Sequence, residues 1–121
     1  MKEMQSIESP LREEVALLHS RFCSGLADPT RIIIIYALTD RAWNVSDLAD
    51  HLSVAQPVVS RHLNILRERG IVLAERDGRN VSYRLADTRI IQALDLFRSI
   101  IADQLQAQAQ LVQSANFESM P

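Results

Sequence analysis

The chain has 121 residues, 47% apolar and 23% charged, with one cysteine, three glycines and four prolines. That is room for one domain of ordinary globular balance, with little low-complexity content. A single cysteine excludes an intramolecular disulfide framework and Cys-rich zinc modules, and 5% aromatic residues leave too few stacking platforms for single-stranded nucleic acid. The start lacks the basic and apolar runs of a secretory signal, and no stretch approaches the roughly 20 apolar residues of a membrane span. The expected location is cytoplasmic, with no membrane partner.

The net charge is -2, but its distribution is uneven. Residues 1–60 carry five Lys/Arg against eight Asp/Glu, and residues 85–121 carry two Arg against four Asp/Glu. Between them, residues 61–84 hold six arginines (61, 67, 69, 76, 79 and 84) against Glu68, Glu75 and Asp77. A basic patch on an acidic body directs a polyanion to one surface, although a solvated charged surface would read the same.

In chain order, residues 1–10 lack periodicity and are expected to form a flexible N-terminus. Leu11, Val15, Leu18, Phe22 and Leu26 then recur at helical steps, until Gly25 and Asp28-Pro29 end or kink the helix. Asp28 is a good N-cap and Pro29 suits the first position of a second helix. The run Ile32 to Leu38 is β-branched enough to suggest a strand. The explicit cap decides for a helix, central in the core. Ser46 or Asn44 caps a short helix from Asp47 to Leu52, with Asp47 and Asp50 near its positive end. After the turn Ser53-Val54-Ala55, a helix follows from Gln56 with two faces. Val59, Leu63 and Leu66 make one apolar stripe, while Pro57, Ser60, Arg61, Asn64 and Arg67 lie opposite. Two short helices joined by a tight turn, the second basic on one side, form a helix-turn-helix pattern.

Gly70 stops that helix. Ile71 to Arg76 reads as a strand, Asp77-Gly78-Arg79-Asn80 as a turn, and Val81 to Leu85 as the returning strand. A last helix is expected over residues 88–112, with Ile90 or Ile91, Leu94, Phe97, Ile101 and Leu105 as its stripe. The fold class is therefore mainly α with a β-hairpin wing, a winged helix-turn-helix. The domain spans residues 11–113, with the helix-turn-helix at 46–69 and the wing at 71–85. Residues 114–121 are expected to be a flexible tail.

Four segments carry a family likeness: Leu26 to Arg31, Val45 to Ala49, Gln56 to Leu63, and Leu66 to Val72 followed by Gly78 to Leu85. In this order and spacing the chain resembles the ArsR/SmtB family of bacterial winged helix-turn-helix repressors over roughly residues 11–107. The resemblance implies a homodimer formed by the first and last helices. Its reading helices would lie about one DNA turn apart, roughly 34 Å, on an inverted-repeat operator. It also implies repression released by an inducer, which the sequence leaves unknown. The family's metal positions are altered. Its Cys-x-Cys-Asp run is here Asn44, Val45, Ser46 and Asp47, and its other site reads Asp87, Arg89, Ile100 and Asp103. No metal is therefore expected at either place, and no cofactor. The Ser or Thr that commonly caps the family's reading helix is here Ala55, a poor cap.

Gln56, Pro57, Ser60, Arg61, Asn64 and Arg67 are the expected DNA-binding residues of the second short helix. Gln and Asn pair with adenine and Arg with guanine in the major groove. Arg79 at the wing tip is suited to the minor groove, and Arg76, Asn80 and Arg84 to phosphate. His62, bordering the apolar stripe, is expected to support packing, and Arg69 to remain on the surface or on phosphate. Cys23 reads as a packing cysteine, with a redox or thiol-reactive sensor as the sharper alternative. There is no phosphate-cradling Gly loop and no nucleophile motif with Ser/His/Asp, so the chain is not expected to be an enzyme. The expected function is a homodimeric repressor of double-stranded DNA, against a winged-helix module that binds protein.

Overall fold

Helical hydrogen bonding begins at Lys2, before the first apolar repeat, in the computed structural model that describes residues 2–118 and the side chains of residues 9–116. Residues expected to be irregular thus belong to α1 (Lys2–Leu18). Lys2, Glu3, Met4 and Gln5 are strong helix formers and need no buried stripe to extend a helix. Pro10 lies inside it and removes one ladder bond. The helix then widens into a π segment (His19–Cys23), where the Ser24 N–H donates back to the His19 carbonyl. Serine hydroxyls compete for the carbonyls here: Ser20 donates to Leu17 O at 3.2 Å and Ser24 to Ser20 O at 2.6 Å. Gly25 does not stop the helix through a left-handed backbone. It is buried, and a Cβ built on it would sit 2.6 Å from Ile71 Cδ1. The residue is small because a neighbour packs there.

Asp28 starts α2 (Pro29–Ala37), its carboxylate accepting the Thr30 N–H at 2.8 Å. The β-branched run is helical, and Ile34 and Ile35 are fully buried. Isoleucine costs only a few tenths of a kcal/mol in a helix, whereas burying each one contributes about 1.5–3 kcal/mol. Packing and the cap therefore outweigh the strand preference.

A two-residue strand that periodicity does not foretell, β1 (Trp43–Asn44), comes next. Asn44 is also the cap of α3 (Val45–Leu52), accepting the Asp47 N–H at 2.7 Å and donating to the Asp47 carboxylate at 3.1 Å. The first bond is the N-cap, and the second ties the two side chains together across the first turn. Ser53 closes α3 with a left-handed backbone at φ 55°. The second short helix, α4 (Gln56–Glu68), starts at Ala55 with no side-chain cap. Its end is a full Schellman motif. Gly70 has φ 75°, its N–H reaches Arg67 O, and the Ile71 N–H reaches Leu66 O.

The wing strands are β2 (Val72–Asp77) and β3 (Asn80–Leu85), antiparallel with Asp77 opposite Asn80. The turn is thus Gly78-Arg79, and only Gly78 has positive φ, as a type II′ turn requires. β1 pairs along the other side of β3, giving three strands in the order β1-β3-β2. The core gathers Ile34, Ile35 and Leu38 of α2, Leu48 and Ala49 of α3, Val59, Leu63 and Leu66 of α4, and Ile71, Val72, Tyr83 and Leu85.

The chain divides into two units, one ending at Thr88 and one beginning at Arg89. The second is α5 (Arg89–Glu118), a helix of 30 residues, about 45 Å long at 1.5 Å per residue. It runs past the expected end at residue 112. Gln and Ala dominate its later turns and keep them helical without a stripe. Of the expected tail, residues 119–121 lie outside the described residues.

Candidate nucleic-acid interface

Helix α4 separates its side chains as its sequence requires. Val59, Leu63 and Leu66 have no exposed surface, and His62 keeps only 7%. On the opposite face Gln56, Pro57, Arg61, Asn64 and Arg67 are exposed, and Ser60 is half-buried. All six predicted reading residues therefore belong to one helix whose inner stripe is anchored in the core. Gln56 and Pro57 form its first turn. Pro57 has no N–H to leave unpaired there. The first-turn N–H groups, with the positive end of the helix dipole, favour an anion.

The sequence reading missed what holds α4 from behind. His62 Nδ1 lies 3.3 Å from an Arg31 guanidinium nitrogen. Arg69, expected on the surface, is half-buried and its Nε donates to Ser24 Oγ at 2.7 Å. These contacts span 31 and 45 residues of sequence, so no local pattern reports them. The Asp28 carboxyl is held below its ordinary value, chiefly by the Thr30 N–H and also by the positive charge of Arg31.

The wing residues divide between two faces. Arg76 stands opposite Val81, on the face that also carries Tyr83 and Leu85. Asn80 and Arg84 lie on the other face, where Arg84 Nε donates to the Glu75 carboxylate. Glu75 and Arg84 are diagonal neighbours across the ladder, a pairing visible only once the register is known. Arg79 occupies the turn and is exposed, as are Arg76 and Asn80. The four wing residues thus do not form one patch, and Arg84 is engaged by a carboxylate.

Trp43 supports the other end of the sheet. It pairs with Tyr83, its Nε1 donates to Ala37 O at 3.0 Å, and Arg41 sits 3.6 Å over its ring. His51 of α3 stacks on the same ring at 4.7 Å between centroids. This stack fixes α3 against β1 and so helps set the position of the turn before α4.

Cys23 is exposed in the π segment. His19, Ser20 and Arg21 before it are exposed as well, while Phe22 and Ser24 beside it are half-buried. The Asp47 carboxylate is taken up by Asn44 in the α3 cap. No group of three or more His, Cys, Asp or Glu side chains stands placed for a metal ion among the described residues. No helix among them is long and apolar enough to cross a membrane.

Residues 28–73 match the model of the family described as bacterial regulatory protein, arsR family. The HTH-type transcriptional repressor SmtB of Mycobacterium tuberculosis is 41% identical over 85 residues, 70% of this chain and 63% of that protein. That match spans less than two thirds of SmtB's length. The HTH-type transcriptional regulator CmtR of Mycobacterium bovis is 42% identical over 84 residues, 69% of this chain and 71% of the relative. The solution structure of the homodimeric winged helix-turn-helix DNA-binding domain of Mb0332 from Mycobacterium bovis superposes with a TM-score of 0.63 at 25% identity, covering 80% of this chain and 85% of that domain. The chain belongs to the arsR family of bacterial regulatory proteins.

Proposed function

We propose that the chain is a homodimeric, sequence-specific DNA-binding transcriptional repressor that uses α4 to read an inverted-repeat operator. The observation that carries this reading is the division of α4: a fully buried stripe behind, and Gln56, Pro57, Arg61, Asn64 and Arg67 exposed in front. These are the side chains that pair with base edges and phosphates. The names of the relatives support regulation and repression, and the homodimeric neighbour supports two copies. Arg79 at the wing tip and Arg76 beside it add cationic contacts to the flanking duplex. Leu96, Phe97, Ile100, Ile101 and Leu105 of α5 are exposed in the single chain, an apolar surface suited to a second copy. The releasing signal is other than a metal at the usual family positions. Asn44, Val45 and Ser46 supply no thiolate there, and the Asp47 carboxylate is committed to a cap.

The test is a titration of duplex DNA selected by the protein, at several salt concentrations. Specific binding should weaken by on the order of 1,000-fold between about 50 and about 200 mM salt, as for a dimer releasing six or more counterions. Adding zinc or cadmium should leave it unchanged. Duplex binding that is absent or indifferent to salt would support the protein-binding reading instead.

A further inference from the structure

Arg31 opens the core helix α2 and faces away from the exposed side of α4, yet it is one of the most heavily engaged side chains. Its Nε donates to Gly25 O at 2.7 Å and a terminal nitrogen to Ser24 O at 3.2 Å. Its other terminal nitrogen reaches His62 Nδ1 at 3.3 Å. A guanidinium only donates, so Nδ1 accepts and the ring proton sits on Nε2. Two helical turns further along α4, Arg69 donates to Ser24 Oγ, whose own proton goes to Ser20 O. His62 and Arg69 are seven residues apart and so share one face. Both contacts end on the same short segment, Ser24-Gly25, just past the π segment. That segment is kept close by the missing side chain of Gly25, against which Ile71 and Arg69 pack.

We propose that Arg31 is a positioning residue for DNA reading, fixing the rotation of α4 about its axis by joining His62 to the Ser24-Gly25 segment past the π segment, with the Ser24–Arg69 hydrogen bond as the second tie. The inference rests on α4 being the reading helix. His62 stands between Arg61 on the exposed face and Leu63 in the core, so turning His62 turns Arg61 and Asn64. Bidentate base contacts tolerate only about 10–20° of misplacement, whereas phosphate attraction depends on charge and hardly on rotation. Losing the tie therefore reduces discrimination between sequences more than overall affinity. The same contacts join the reading helix to the Ser24-Gly25 segment just past the π segment, so a change there reaches α4 directly.

The experiment compares Arg31→Lys, which keeps the charge and loses the three-way fork, with Ser24→Ala, which leaves that fork's backbone acceptors in place and loses the Arg69 tie together with the Ser24–Ser20 bond. Each is titrated with a selected duplex and a scrambled one, after unfolding curves establish a temperature at which all variants are folded. Arg31→Lys should lose about tenfold on the selected duplex, comparable to one impaired base contact, and less than about twofold on the scrambled one, and Ser24→Ala a smaller share of the same kind. The salt slope should stay at the wild-type value, and the loss should vanish when Arg61 and Asn64 are already alanine. Equal losses on both duplexes, or a slope reduced by about one, would overturn the proposal by making Arg31 a general stabiliser or a phosphate ligand. If the wild-type chain shows no preference for any duplex, the reading of α4 itself falls, and this proposal with it.

Discussion

Helices α4 and α1 carry similar apolar stripes and meet different surroundings. In α4, Val59, Leu63 and Leu66 are wholly buried; in α1, Leu11, Val15 and Leu18 remain about half exposed, at 56%, 50% and 52%. α5 resembles α1, with Phe97, Ile101 and Leu105 exposed at 62%, 54% and 59%. Periodicity reports that a helix has an apolar face, not whether the same chain covers it. The central helices and the sheet consume their apolar faces within one chain. The terminal helices leave much of theirs uncovered: α1 exposes Leu11, Val15 and Leu18, and in α5 Ile90 and Leu94 are buried while the stripe from Phe97 onward is exposed, which is the surface that the proposed dimer needs.

Substitutions on the two kinds of stripe should separate sharply. Leu63→Ala is expected to cost about 2–5 kcal/mol by loss of transfer energy and cavity formation, read from denaturant midpoints. Phe97→Glu combined with Ile101→Glu should leave the far-ultraviolet helical signal near wild type and shift sedimentation from dimer to monomer. A dimer that survives this double change would place the interface elsewhere. On the exposed side of α4, Arg61→Ala should weaken binding to a selected duplex by about 1–3 kcal/mol and relax its specificity. Arg79→Ala should weaken binding without changing the preferred sequence. Arg84→Ala should have less effect than either, since Arg84 is already held by Glu75. Equal losses for all three would erase the division of the wing.

The first turn of α4 offers a gain. Ala55→Ser places a hydroxyl where the N-cap is missing, and should raise stability by about 1 kcal/mol in thermal unfolding. The mildest effect concerns Asp28, whose folded pKa is lowered by the Thr30 N–H. A lowered carboxylate contributes stability above its ordinary pKa and loses it as pH falls through the folded value. Asp28→Asn, which keeps an acceptor, should therefore show a shallower loss of stability than wild type below about pH 4.

What the sequence revealed follows the range of the interactions involved. The Asp28 cap, the α4 stripe and the Gly70 stop are local, and the helix-turn-helix could be read from them. β1 has two residues and no period, so only its pairing with Tyr83 and Ser82 defines it. The π segment arises from serine hydroxyls turning back on the helix, and the full length of α5 from Gln and Ala propensity without a core to serve. The Arg31–His62 and Arg69–Ser24 contacts, and the Arg84–Glu75 pair, depend on tertiary placement or strand register. For that reason the exposed face of α4 could be listed from the sequence, while the contacts behind it and the carboxylate that engages Arg84 could not. Cys23 illustrates the same limit: its type suggested packing, and in the single chain it is exposed.

Selection of bound duplexes from a random pool by the full chain, followed by sequencing, tests the central claim most directly. The account predicts enrichment of an inverted repeat whose half-sites lie about one helical turn apart, roughly 10 base pairs between centres. The repeat should disappear from the pool selected by Arg61→Ala. Enrichment of no sequence, or of a lone half-site bound by a single copy of the chain, would contradict it.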